Sequence, residues 1–214
     1  MNFFRFYFLD LRLSRKANGF SLVELMVVVG ILAIINIMIF ASYPEFSQRM
    51  ALKRTSEEIA LIARQAQAYA LGIKRSASGG DDYFGFGVHF ETGNPKSLIL
   101  FTDSGQGNSQ PNKQYDARGG CGQPQTECFQ EFKIDTGDII FKLECDSCDE
   151  NIDALDIVYP RATSMASISA DGNNCGCSYA RVIIKSPRGN EDKHKKYISI
   201  WANGQISVED PPKN

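Results

Sequence analysis

The chain has 214 residues, with 8 prolines, 18 glycines and a formal net charge of −2. The first nineteen residues hold Arg5, Arg12, Arg15 and Lys16 against Asp10, a balance of +3. The remainder therefore carries about −5, the −2 of the whole less that +3. With the head and one apolar run set aside, roughly 150 residues are left, enough for a single domain with its own core. No internal repeat and no low-complexity tract is present, which excludes a repeat array.

From Phe20 to Tyr43 the chain runs for twenty-four residues with one charge, Glu24. Roughly 20 apolar residues suffice for a helix to cross a bilayer. A carboxylate inside such a run costs about 2.5–3.5 kcal/mol at the bilayer centre. A group that costly usually has a partner. A cut after Gly19 would give Phe20 a free α-amine, the obvious cation for a carboxylate four residues on, most easily one on a neighbouring subunit. An ordinary signal peptide would need a small-x-small site after the apolar core, and Ile39-Phe40-Ala41 is a poor one. The basic head predicts that residues 1–19 stay cytoplasmic while the bulk of the chain crosses.

Gly19-Phe20-Ser21-Leu22-Val23-Glu24-Leu25 resembles the class III signal of type IV pilins and type II secretion pseudopilins. The resemblance implies a leader of residues 1–19, cleaved between Gly19 and Phe20 by a prepilin peptidase. It also implies N-methylation of Phe20 and a role for Glu24 in guiding subunit docking. One departure is the aromatic, apolar character of the leader, which holds Phe3, Phe4, Phe6, Tyr7, Phe8 and Leu9.

The transmembrane or filament-core helix spans 20–43. Pro44 removes one helical hydrogen bond and should bend the helix without necessarily ending it. Over 44–75 the pattern resumes. Ile59, Ile62, Ala66, Tyr69 and Ile73 follow helical 3-4 spacing and predict one stripe facing a core. Gly72 and the stretch Ser76-Ala77-Ser78-Gly79-Gly80 stop it. A helix from Phe20 to about Ile73 would be roughly 80 Å long.

Residues 76–214 read as β. Strands are predicted at Tyr83–Phe90, Ser97–Phe101, Phe132–Ile134, Ile139–Leu143, Leu155–Tyr159, Arg181–Lys185, Tyr197–Ala202 and Ile206–Val208. Asn203-Gly204 predicts a two-residue type I′ hairpin, which needs positive φ at both central positions. The loops Thr102–Gly122 and Asp171–Cys177 are rich in turn residues. The predicted class is α+β, with a long N-terminal helix packed on a C-terminal antiparallel β-domain. This half resembles the GspH/FimT pseudopilins. The likeness rests on Arg64-Gln65-Ala66-Gln67-Ala68-Tyr69-Ala70-Leu71, Gly85-Phe86-Gly87-Val88-His89-Phe90, Leu100-Phe101-Thr102-Asp103, Tyr159-Pro160-Arg161-Ala162 and the closing strands. The insertion from Cys121 to Cys148 is not part of that pattern.

Six cysteines, Cys121, Cys128, Cys145, Cys148, Cys175 and Cys177, lie beyond the apolar run. An even count in an exported domain reads as disulfides. Cys121–Cys128 would close one small loop, and the Cys145/Cys148 and Cys175/Cys177 clusters would pair with each other. A four-thiolate zinc site from those two clusters is the alternative. Redox chemistry is disfavoured, because Glu144, Asp146, Asp149 and Glu150 crowd the Cys-x-x-Cys.

No catalytic constellation emerges, so no enzymatic activity, cofactor or metal is expected. His89 reads as an exposed or hydrogen-bonded strand residue and His194 as part of a solvated hairpin loop. Asp103-Ser104-Gly105-Gln106-Gly107-Asn108 looks faintly like a calcium loop but lacks the alternating acids and closing Glu. Arg181, Lys185, Arg188, Lys193, Lys195 and Lys196 form a basic strip near the end. The FimT-like branch includes DNA receptors, so the strip is a candidate phosphate contact. Interleaved acids and few nearby aromatic residues weigh against it.

The resemblance implies a minor pilin or pseudopilin of a type II secretion pseudopilus, serving protein export. A FimT-like pilus subunit binding DNA or another external ligand is the alternative. The partners it implies are other pilin subunits, a prepilin peptidase/methyltransferase and an inner-membrane assembly platform driven by a separate ATPase. The location it implies is the bacterial inner membrane, single-pass, with the β-domain outside the cytoplasm.

Overall fold

The structure, a computed structural model, describes residues 19–72, 84–104, 112–117, 120–121, 123, 126–148, 151–174, 176–187 and 194–211. The chain divides into two compact units, Met1–Pro44 and Glu45–Asn214. One helix, α1 (Leu22–Leu71), contributes to both, with Pro44 inside it. It stops two residues short of the expected Ile73, which lies outside the described residues. Gly72 N still donates to Ala68 O, so the last turn closes before the glycine ends it.

In the first unit, α1 is apolar around its whole circumference. Its large side chains, from Leu22 to Phe40, are exposed on every side. Among the described residues, α1 is the one helix long and apolar enough to cross a membrane, by length and composition. Such an all-round apolar helix is unstable in water unless lipid or other helices cover it.

In the second unit, the helix from Glu45 onward is amphipathic. Leu52, Ile59, Ile62, Ala63, Ala66 and Ala70 are buried. The three alanines leave room for the helix to lie close to the sheets. Arg49, Lys53 and Arg54 pair with Glu45, Glu57 and Glu58 at i,i+4 spacing on the outer side.

Among the described residues nine strands follow: β1 (Gly85–Glu91), β2 (Ser97–Asp103), β3 (Cys128–Lys133), β4 (Ile139–Cys145), β5 (Ala154–Pro160), β6 (Ser167–Ala170), β7 (Tyr179–Lys185), β8 (Lys195–Trp201) and β9 (Ile206–Glu209). They form a five-stranded sheet, β3-β2-β1-β5-β6, and a four-stranded sheet, β4-β7-β8-β9. Every pairing is antiparallel. Phe86, Val88, Phe90, Leu100, Leu155, Ile157 and Tyr159 of the first sheet join Leu143, Val182, Ile184, Ile198 and Ile200 of the second and the α1 stripe in one core.

The sequence did not announce β6. Its four residues, Ser-Ile-Ser-Ala, carry no apolar run, yet pairing with β5 buries three of them. The β8–β9 hairpin differs from expectation. Trp201 N donates to Gln205 O and Gly204 N to Trp201 O, so the loop has three residues. Gly204 has φ of +88°, and Asn203 is not among the positive-φ residues. A type I turn closed by one left-handed glycine has replaced the two-residue type I′ turn.

Candidate functional site

The head of α1 is built from four residues. Gly19 and Phe20 precede the helix and are exposed, Phe20 by 77%. Ser21 is the N-cap. Its Oγ accepts a hydrogen bond from Glu24 N at 3.2 Å, and its carbonyl accepts the first helical bond, from Leu25 N. Such a hydroxyl satisfies one of the N–H groups that an α-helix leaves open at its start. Glu24 is three residues past the cap, in the first turn. Serine and glutamate stand at capping-box spacing, and a carboxylate there is favoured by the positive end of the helix dipole. A Cβ added at Gly19 would meet nothing within 4 Å. This chain's own packing therefore does not require glycine at that position.

The cysteines lie at the second unit's edge. Cys121 is bridged to Cys128, and Cys145 at the end of β4 to Cys177 ahead of β7. Cys148 Sγ lies 3.1 Å from Cys177 Sγ. The sulfurs of Cys145, Cys148 and Cys177 fall within 4.8 Å of one another, as a soft-metal site would require. Two of the three are joined as a disulfide, which removes them as thiolate ligands. Cys175 lies outside the described residues.

The basic strip is divided between two faces. Register pairs Arg181 with Ser199, Ile183 with Tyr197 and Lys185 with Lys195. Arg181, Lys185 and Lys195 therefore share the outer face of the second sheet. Lys196 takes the opposite face, with Ile198 and Ile200, and pairs with Asp210. Arg188 and Lys193 lie outside the described residues. The expectation of few aromatic neighbours is overturned. Arg181 stacks over Tyr179 and Tyr197, and Lys185 and Lys195 sit over the half-exposed Phe141. Tyr179 and Trp201 pack with ring centroids 6.5 Å apart. The sequence carried this signal in the alternation of β7 and β8, once the strands are aligned in register. Glu144 draws Arg181 and Lys142 together at the β4 edge.

His89 Nδ1 lies 2.7 Å from Asp156 Oδ1 across β1 and β5, against the Tyr115 ring. His194 is not solvated as expected. It is only 8% exposed, and its carbonyl accepts Ser186 N, extending the β7–β8 ladder one residue beyond the strand ends.

Two acids are buried here: Asp103, the head of the calcium-like stretch, and Glu127, which drew no attention in the sequence. Asp103 accepts the N–H groups of Asn112 and Lys113, and Glu127 accepts those of Ser104 and Asp116. They tie the described part of the Thr102–Gly122 loop to the first sheet. Burial pushes Asp103 up to about 6 and Glu127 up to about 7, outweighing those N–H groups. Asp103, the head of the calcium-like stretch, is thus spent as a loop anchor; residues 105–108 lie outside the described set.

Residues 14–40 match the family model described as the prokaryotic N-terminal methylation motif. The class that motif and helix define is a methylation-motif protein, with a single apolar helix leading into an antiparallel β-domain. The motif is that of type IV pilins. Two crystal structures of the type IV minor pilin FimU from Pseudomonas aeruginosa strain PAO1 are similar to this chain. One, in space group P21, is 11% identical with a TM-score of 0.41, covering 77% of this chain and 92% of that one. The other, in space group P65, is 10% identical with a TM-score of 0.39, covering 74% and 92%. No curated protein matches the chain.

Proposed function

We propose that this chain is a minor pilin or pseudopilin, a structural subunit extracted from the inner membrane into a filament. The observation that carries the reading is the methylation motif over residues 14–40, with its Gly19–Phe20 bond exposed and outside the helix. Cleavage there removes the basic leader and leaves Phe20 with a new amine. N-methylation keeps that amine cationic. Docking brings it beside Glu24 of an adjacent subunit, where low dielectric strengthens the attraction and the pairing offsets the burial cost of both charges. Before assembly, its place in the first turn gives Glu24 its own helix terminus as a favourable environment. The β-domain stays on the outside, and the likeness to GspH/FimT proteins favours a secretion pseudopilus.

The test is incorporation into filaments. Glu24→Gln keeps membrane insertion and lowers the amount of subunit recovered in sheared filaments; equal recovery would remove the pairing step. Gly19→Val leaves the leader attached, and because nothing among the described residues packs against Gly19, a block there reports on the peptidase.

A second reading is favoured by the outer face of the second sheet. Arg181, Lys185 and Lys195 interleave there with Tyr179, Tyr197, Trp201 and Phe141. Cations beside stacking rings suit a single-stranded or flexible nucleic acid. A gel shift at low salt that weakens with added salt and with Arg181→Ala would support DNA contact. Absence of any shift would discard it.

A further inference from the structure

We propose that Ser21 is a positioning residue for leader removal, because its side chain fixes where α1 begins and so keeps the Gly19–Phe20 peptide extended. The proposal rests on the reading that the chain is processed at that bond. A peptidase binds its substrate as extended backbone, with the scissile carbonyl free. A residue inside a helix has its carbonyl committed to the N–H four residues on and its backbone wound away from a cleft. The distance between helix start and scissile bond is therefore part of the substrate.

Three observations place that boundary at Ser21. Gly19, Phe20 and Ser21 are not helical, whereas Leu22 is the first residue of α1. Ser21 Oγ accepts Glu24 N, and Ser21 O accepts Leu25 N, the pair of contacts that define an N-cap. Ser21 and Glu24 stand at capping-box spacing, a second device at the same place. Removing the cap does not simply fray this helix. Downstream retreat would expose backbone N–H groups of an apolar segment, which is costly where water is scarce. The boundary moves upstream instead. Gly19 and Asn18, two and three residues earlier, are both of capping type, and a helix begun at either takes Phe20 into its first turn and commits the Gly19 carbonyl. The scissile bond is then inside the first turn.

The reaction itself is hydrolysis of one amide. The bond from the Gly19 carbonyl carbon to the Phe20 nitrogen breaks. Water supplies the hydroxyl to the new Gly19 carboxyl group and a proton to the new Phe20 amine. The peptidase provides the catalytic groups, and Ser21 does not enter the chemistry.

The experiment uses the full-length chain in membranes with a prepilin peptidase, and leader loss is followed over time by mass. Ser21→Ala slows cleavage by roughly two- to thirty-fold, the span a lost cap produces. Ser21→Thr and Ser21→Asn, which keep an oxygen able to cap, restore it to within about two-fold of wild type. Cleavage of Ser21→Ala at the wild-type rate overturns the proposal. So does slow cleavage of the Ser21→Thr and Ser21→Asn variants alongside Ser21→Ala, since that outcome assigns serine a direct contact with the peptidase. Gly19→Val separates the proposal from the reading beneath it. If Gly19→Val is uncleaved and Ser21→Ala is normal, only the capping role fails. If the wild-type chain is not cut after Gly19, the processing reading fails as well.

Discussion

Replacing Gly204 by alanine tests the geometry of the β8–β9 hairpin and its tie to α1. Gly204 has φ of +88°, and a Cβ there would lie 1.9 Å from Ser164 O and 2.6 Å from Gln67 Nε2. Gln67 Nε2 donates to both Ser164 O and Gly204 O, at 3.0 and 3.1 Å, so the helix, the hairpin and the β5–β6 connection meet at this point. Left-handed backbone costs a non-glycine residue about 1–2 kcal/mol. The two amide hydrogen bonds contribute about 0.5–1.5 kcal/mol each, and the close carbonyl forces the loop to move. The sum is roughly 3–5 kcal/mol, and at about 2–4 °C per kcal/mol for a unit of this size Tm falls by roughly 6–20 °C. Gly176 is the control, with φ of +63° and nothing within 4 Å of its would-be Cβ. Gly176→Ala bears only the backbone cost, about 1–2 kcal/mol. Thermal unfolding in detergent, followed by far-ultraviolet circular dichroism, reads both. Equal losses for the two variants would refute the clash and the clamp together.

Ala162 holds φ of 62° in the turn whose N–H caps Ala70 O at the end of α1, so Ala162→Gly stabilises by about 0.5 kcal/mol and raises Tm slightly, and Ala162→Val lowers it. Among the described residues the hydroxyl of fully buried Tyr159 has no hydrogen-bond partner, so Tyr159→Phe stabilises by about 1 kcal/mol in the same assay. Asp103 and Glu127 titrate near 6 and near 7 when folded, above their ordinary values of 3.8 and 4.5. The folded chain thus holds their protons more tightly than the unfolded one. Their contribution to stability is complete below about pH 4 and is lost as pH rises through 6 to 7, on the order of a few kcal/mol for the two together. Asp103→Asn with Glu127→Gln flattens the fall in Tm between pH 5 and 8; an unchanged slope would exclude these two acids as its source.

The helix and most strands were legible because their cause is local. The uninterrupted apolar run, the 3-4 stripe from Ile59 to Tyr69 and the alternation in Tyr197–Ala202 each follow from one period. Ala63 and Ala70 were missed as core residues because alanine is weakly marked, although its small volume lets helix and sheet approach. Strand β6 was missed because its burial comes from pairing with β5 and not from its own composition. The Asn203-Gly204 turn was misassigned because two-residue and three-residue hairpins share those residues, and register decides between them. Lys196 left the basic strip for the same reason: a strip is linear in sequence, whereas faces alternate in a strand. At the head of α1 the sequence offered Gly19, Phe20 and Glu24 as the proposed processing and docking residues, but Ser21 passed unnoticed until its hydroxyl was seen on Glu24 N.

The central claim is that the working protein begins at Phe20. Intact-mass and N-terminal fragment analysis of the protein purified from membranes with its peptidase present tests this directly. The account predicts loss of residues 1–19 and a mass increase of one methyl group, about 14 Da, on the Phe20 nitrogen. A mature chain that still carries Met1, or that starts elsewhere, would contradict it.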